Sequence, residues 1–101
     1  MKEDKKNISN CYRALLAQVN YLDGISNKKQ DVKDLYEELS ILAFYIMEDD
    51  YESIMRTINE IKELSRKIEE SSSQGKEKTS AFNLILQEIK THLDYLLLQY
   101  A

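Results

Sequence analysis

Apolar residues near the start of the chain recur in steps of three and four. Tyr12, Leu15, Leu16, Val19 and Leu22 share one stripe, which predicts a helix over about residues 9–23. Val32, Leu35, Leu39, Leu42 and Ile46 keep the same spacing, widened by Tyr36 and Ala43, and predict a second helix over about 28–48. A third, over about 51–70, places Tyr51, Ile54, Ile58, Ile61, Ser65 and Ile68 on one face with Met55 and Leu64 alongside. The fourth, over about 80–100, is the most apolar stretch, and Phe82, Ile85, Leu86, Ile89, Leu93, Leu96, Leu97 and Tyr100 take its inward positions.

The residues between these stripes supply the stops. Gly24 is expected to end the first helix in the left-handed conformation that costs glycine nothing, and Asn27 with Gln30 to cap the second. In the acidic triplet Glu48-Asp49-Asp50, Asp49 and Glu52 have the spacing of a cap and its reciprocal partner, so a break is expected there. One long helix through the triplet is the competing reading, since neither glycine nor proline interrupts it. Residues 71–79, Ser-Ser-Ser-Gln-Gly-Lys-Glu-Lys-Thr, are too small and polar to bury anything and read as a flexible linker, after which Thr79 or Ser80 caps the last helix. Acid-before-base pairs four residues apart, Glu52 with Arg56 and Glu63 with Lys67, are expected to lace the outer face of the third helix.

Four amphipathic helices bury their stripes most simply against one another. The expected architecture is therefore all-α: an antiparallel up-down-up-down four-helix bundle forming a single domain over residues 1–101. The alternative is a helical hairpin that completes its core as a homodimer.

Composition agrees with helix, because proline is absent and there are only two glycines. One cysteine, Cys11, cannot form an internal disulfide; it is expected as a small half-buried side chain in a reducing cytoplasm. The charged start Met1-Lys-Glu-Asp-Lys-Lys is not followed by a signal-peptide core, and no run approaches the roughly 20 apolar residues of a membrane span, so a cytoplasmic protein without a transmembrane segment is expected. Net charge is −4, and residues 27–70 hold 12 acidic against 7 basic side chains. Nucleic acid is excluded as a partner, since it needs a basic footprint.

Candidate chemistry is sparse. Phosphate-cradling glycine loops, a nucleophile elbow, Cys-x-x-Cys and His-Glu-x-x-His are all absent, so no enzyme, cofactor or metal site is expected. His92 and Glu88 one turn before it share a face, the spacing of a pair that binds a metal or passes a proton; the bland reading is a rim histidine hydrogen-bonded to a neighbouring carboxylate. Glu60 and Glu63 have the spacing of a metal-dependent nucleotide hydrolase without the second acidic pair such a site needs. Tyrosine is more informative: of seven, Tyr21, Tyr45 and Tyr95 fall off the inward stripes. Tyr95 and Leu98 make the last helix apolar nearly all round, and with Gln99 and Tyr100 they form the candidate partner-binding residues. The structural alternative folds Tyr95 and Leu98 under the serine-rich linker.

The joint Ile46-Met-Glu-Asp-Asp-Tyr-Glu-Ser-Ile-Met55 resembles that of small bacteriocin immunity proteins of the enterocin A type, where an apolar pair and an acidic turn precede Asp-aromatic and a second apolar pair. The likeness runs over about 40 residues, Leu35 to Ile68, together with overall size and four-helix pattern. It implies an antiparallel four-helix bundle in the producer's cytoplasm, recognition through the C-terminal half, and a protein or peptide partner such as a membrane-embedded bacteriocin receptor complex. The chain departs from many of these relatives in being acidic and in ending on an apolar helix. Asp50 to Leu64 is also similar to flagellar export chaperones, which shield amphipathic ends of secreted subunits. The acidity of residues 27–70 allows a third reading, a phage-encoded inhibitor that mimics nucleic acid.

Overall fold

The computed structural model describes residues 5–26, 29–72 and 80–100. They form four helices: α1 (Lys5–Ile25), α2 (Lys29–Glu48), α3 (Tyr51–Ser72) and α4 (Ser80–Tyr100). Each helix packs on two neighbours, α1 on α2 and α4, α3 on α2 and α4, while the backbones of the diagonal pairs α1/α3 and α2/α4 do not come close. Lys5 with Asp49 joins the start of α1 to the end of α2, Tyr51 with Tyr100 the start of α3 to the end of α4, Cys11 and Gln18 of α1 meet His92 and Glu88 of α4 in reverse order, and the tight joint turns α3 back on α2, so every neighbour is antiparallel. The result is an up-down-up-down four-helix bundle of 45 × 20 × 19 Å. All four stripes meet inside one chain, so the hairpin awaiting a dimer partner is not the arrangement found.

The core follows the periodicity closely. Leu15, Val19 and Leu22 of α1 are buried against Val32, Leu35, Leu39 and Leu42 of α2, Ile54, Ile58, Ile61 and Ile68 of α3, and Phe82, Ile89, Leu93 and Leu96 of α4. Tyr12, Leu16, Tyr36, Ile46, Leu64, Leu97 and Tyr100 line its edges half-buried. Ser53 and Thr57 are buried along one edge of the isoleucine stripe of α3, and Ser65 is buried within it. Tyr51 and Met55, expected on the inward face, are exposed; Tyr51 sits at the bundle's end, its ring edge-on to Tyr100 at 5.2 Å.

Helix α1 departs from expectation at both ends. It begins a turn earlier, at Lys5, because Ile8 extends the stripe (Ile8, Cys11, Leu15) and is only 2 % exposed. It also runs through Gly24 to Ile25, and Gly24 does not have a positive φ, so it is no left-handed stop. A Cβ at Gly24 would meet nothing within 4 Å, which leaves the residue without a steric reason to be glycine. Asn27, Thr79 and most of the linker 71–79 lie outside the described residues, while Gln30 donates to Asp34 Oδ1 at 3.0 Å, one turn on.

The α2–α3 joint breaks where expected but by a different device. Asp49 has φ 56°, the left-handed conformation that aspartate tolerates better than most residues. Its N–H donates to Ile46 O at 3.2 Å and that of Asp50 to Tyr45 O at 3.1 Å, which closes α2 with the paired bonds of a Schellman motif. Asp49 is thereby committed to ending α2 and cannot cap α3. The cap is Asp50, one residue later: its Oδ1 accepts from Ser53 N at 3.3 Å, its Oδ2 from Ser53 Oγ at 2.8 Å, and its carbonyl from Ile54 N at 2.9 Å.

Candidate functional site

The four residues singled out on α4 do not share one surface. Tyr95 is 41 % exposed and Leu98 is 71 % exposed, one turn apart on the outside of the helix. Gln99 is half-buried, and Tyr100 turns inward onto Tyr51. Tyr95 and Leu98 lie 15 and 18 residues beyond Ser80, more than about 20 Å up the helix from where the linker joins, at 1.5 Å per residue. They stand at the end of the bundle shared with the α2–α3 joint.

Tyr95 also walls a shallow groove of about 360 Å³ between α1 and α4, with Asn7, Asn10, Ala14, Thr91 and His92 around it and Cys11 at its base. His92 is held by backbone. Its Nδ1 lies 2.9 Å from the carbonyl oxygen of Glu88, and its own carbonyl accepts from Cys11 Sγ at 3.2 Å. The Glu88 carboxylate turns instead to Gln18, whose Nε2 donates to Oε1 at 3.3 Å. The expected His92–carboxylate contact is therefore not made, because α1 supplies a donor that sequence spacing on α4 does not reveal. Burial pushes the Cys11 thiol up to about 11, so it stays protonated at neutral pH and is a poor nucleophile.

The two acids with hydrolase-like spacing also part company. Glu63 is bound by Arg66, which holds its carboxyl below the usual range and also reaches Glu70. Arg56 donates to Ser53 Oγ at 3.3 Å. These contacts replace the predicted Glu63–Lys67 and Glu52–Arg56 pattern, since a guanidinium satisfies a residue three places away as readily as one four away. Glu60 instead meets Glu38 across the α2–α3 interface. Burial, then the hydrogen bond and charge of Glu60, then the charges of Glu37 and Asp34 push the Glu38 carboxyl up. Glu38 Oε1 is buried without a donor. Among the described residues, no three His, Cys, Asp or Glu side chains converge to hold a metal ion.

Because its folded pKa is raised, Glu38 favours the folded state most when protonated, below the ordinary glutamate pKa of about 4.3, and that contribution is lost as pH rises through the raised value. Glu38→Gln, whose amide can donate to Glu60, is expected to raise unfolding free energy at pH 7 by about 1 kcal/mol. The gain should vanish when both proteins are unfolded by denaturant at pH ~3.5, below the ordinary glutamate range. A gain that grew on acidification would contradict this account of the pair.

A second groove of about 470 Å³ runs between α3 and α4. Leu86, Leu93 and Ser65 line it, and the Ser65 hydroxyl is buried without a partner. Charges of both signs border it: Lys62 pairs with Asp94 at 2.6 Å, and Arg66 with Glu63 and Glu70. A rim this balanced does not select for either sign of ligand.

Apart from Tyr21, the other exposed apolar side chains are not marked as outward-facing by the sequence. Ile41, Phe44 and Met47 lie on the outside of α2, toward the same end of the bundle as Tyr51, Met55, Tyr95 and Leu98. Among the described residues, Tyr21, Ile25 and Leu84 are the exposed large apolar side chains at the other end. The signal was available as apolar residues three apart that fall off the buried stripe. No helix among the described residues is long and apolar enough to cross a membrane. Comparison with known protein families, with characterised proteins and with solved structures finds no match for the chain.

Proposed function

We propose that this chain is a non-enzymatic protein-binding bundle, and that its specific role is bacteriocin self-immunity in the cytoplasm of the producing cell. The observation that carries the binding reading is the exposure of Tyr95 and Leu98, which no core position accounts for. Aromatic and large aliphatic side chains held on a rigid helix lose little entropy on contact with a partner, and such residues dominate binding energy at protein interfaces. The self-immunity role is supported by the Ile46–Met55 joint and by the four-helix pattern. Its partner would be a protein or peptide, such as the membrane-embedded receptor complex that the bacteriocin attacks. The export-chaperone reading stands second, favoured by the further apolar side chains gathered at the same end of the bundle.

The test challenges bacteria sensitive to pore-forming peptide bacteriocins of the enterocin A type, with and without expression of the chain. Expression of the chain should protect them, and Leu98→Asp combined with Tyr95→Ser should abolish protection. Helical circular dichroism should be retained, because both side chains lie outside the core. Full protection by the double variant would remove the α4 surface from the proposal. Failure of the wild-type chain to protect would remove self-immunity and leave the chaperone role to be tested with secreted helical subunits.

A further inference from the structure

Helix α2 carries a second apolar line that the core does not use. Glu37, Ile41, Phe44 and Glu48 follow one another in steps of four, three and four, so they run along one side of the helix. That side lies opposite the buried Val32, Leu35, Leu39 and Leu42. Met47 adjoins the line and is 81 % exposed; Phe44 is 58 % exposed and Ile41 is 42 % exposed. Phe44 is nevertheless braced, its ring edge-on to Tyr45 at 5.7 Å, and Tyr45 in turn packs against the core. An aromatic ring that is both exposed and held is suited to anchoring a partner.

Charge selects the partner. Between Lys33 and Arg56 the chain carries seven carboxylates and no lysine or arginine. Glu37 and Glu48 bound the apolar line at its two ends, and both are exposed. The cation supplied here from another helix, Lys5, is taken by Asp49 at 2.9 Å. Lys33 is exposed one turn before Glu37 on the same side. A second copy in parallel register would oppose carboxylates to carboxylates, whereas an antiparallel copy would set Lys33 against Glu48, the outcome that sedimentation tests; anionic lipid or nucleic acid would be repelled by the carboxylate excess.

We infer that the outer face of α2 docks a cationic amphipathic helix of another protein or peptide, its apolar side over Ile41, Phe44 and Met47 and its lysine or arginine side chains on Glu37 and Glu48. The two glutamates stand eleven residues apart, about 16 Å at 1.5 Å per residue, which is the span of three turns on the docked helix. This surface is independent of the one on α4. α2 and α4 occupy opposite corners of the bundle, so one flat partner cannot cover both outer faces.

The test titrates the full chain with a short amphipathic helical peptide of leucine and lysine. A scrambled peptide of the same composition and a leucine–glutamate counterpart serve as controls. Binding is read by calorimetry and by backbone amide shifts. Saturable one-to-one binding of the amphipathic cationic peptide is expected, with the largest shifts from Ile41 to Glu48. Phe44→Ser should weaken it at least about tenfold, and so should Glu37→Lys with Glu48→Lys. The charge-reversal pair decides the matter if Phe44→Ser loses its circular dichroism signal. Equal binding of the scrambled peptide, shifts centred on α4, or unchanged affinity of both variants would overturn the inference. So would a dimer in sedimentation that Phe44→Ser dissolves, since the face would then belong to a second copy.

Discussion

Phe82→Ala should lower unfolding free energy by about 3–5 kcal/mol, the range for removing a buried aromatic ring. Phe82 is 1 % exposed and is the only phenylalanine in the core, at the first turn of α4. The loss combines the transfer energy of the ring with the cavity left among side chains that relax only partly. For a chain of this size, each kcal/mol corresponds to roughly 4–8 °C in Tm, so a fall of at least about 12 °C is expected. Leu84 provides the control two residues along. It is 58 % exposed, and Leu84→Ala should change stability by no more than about 0.5 kcal/mol. Comparable losses for the two substitutions would mean that α4 is rotated from the orientation described.

Asp50→Ala should cost about 1–2 kcal/mol in the same measurement, at the upper part of the range for a lost helix cap. The substitution removes the acceptor for Ser53 N and the partner of Ser53 Oγ together, and takes a negative charge from the positive end of α3. Asp49→Gly should behave oppositely. It trades a contact with Lys5 between two largely exposed side chains for relief of a left-handed backbone, a net gain of about 0.5–1 kcal/mol. If Asp49→Gly were the destabilising change and Asp50→Ala the neutral one, the cap would sit one residue earlier than described.

That contrast also marks where the sequence is legible and where it stops being so. The stripes of α2, α3 and α4 predict their helices to within two residues, because amphipathic periodicity is the property that buries them. The acidic triplet announces a break, yet Asp49 and Asp50 are the same residue type, and only the backbone shows which one turns left-handed. Gly24 misleads for the converse reason: glycine permits a stop without requiring one, and Leu22 keeps the last turns of α1 on the core.

The candidate site was read less completely. Tyr95 and Leu98 can be recognised from α4 alone, because they fall outside its stripe. What His92, Glu88 and Glu38 do is set by Cys11, Gln18 and Glu60 on neighbouring helices. A helical wheel cannot supply those partners. The α2 line was hidden by its own position, between a strongly apolar stripe and a run of acids that reads as ordinary solvated surface.

The joint at Asp49 and Asp50 has a consequence for how the bundle is phased. Each residue advances a helix by about 100°, and here two adjacent residues make the whole joint, Asp49 turning α2 to its end and Asp50 capping α3. The rotation of α3 about its axis is therefore delivered by backbone geometry, and Ile54, Ile58 and Ile61 enter the core already in phase with Leu35, Leu39 and Leu42. α4 inherits no such phase from α3 through a two-residue joint. Among the described residues, its angular setting is fixed by Phe82, Ile89, Leu93 and Leu96, which key into the core that α1, α2 and α3 line.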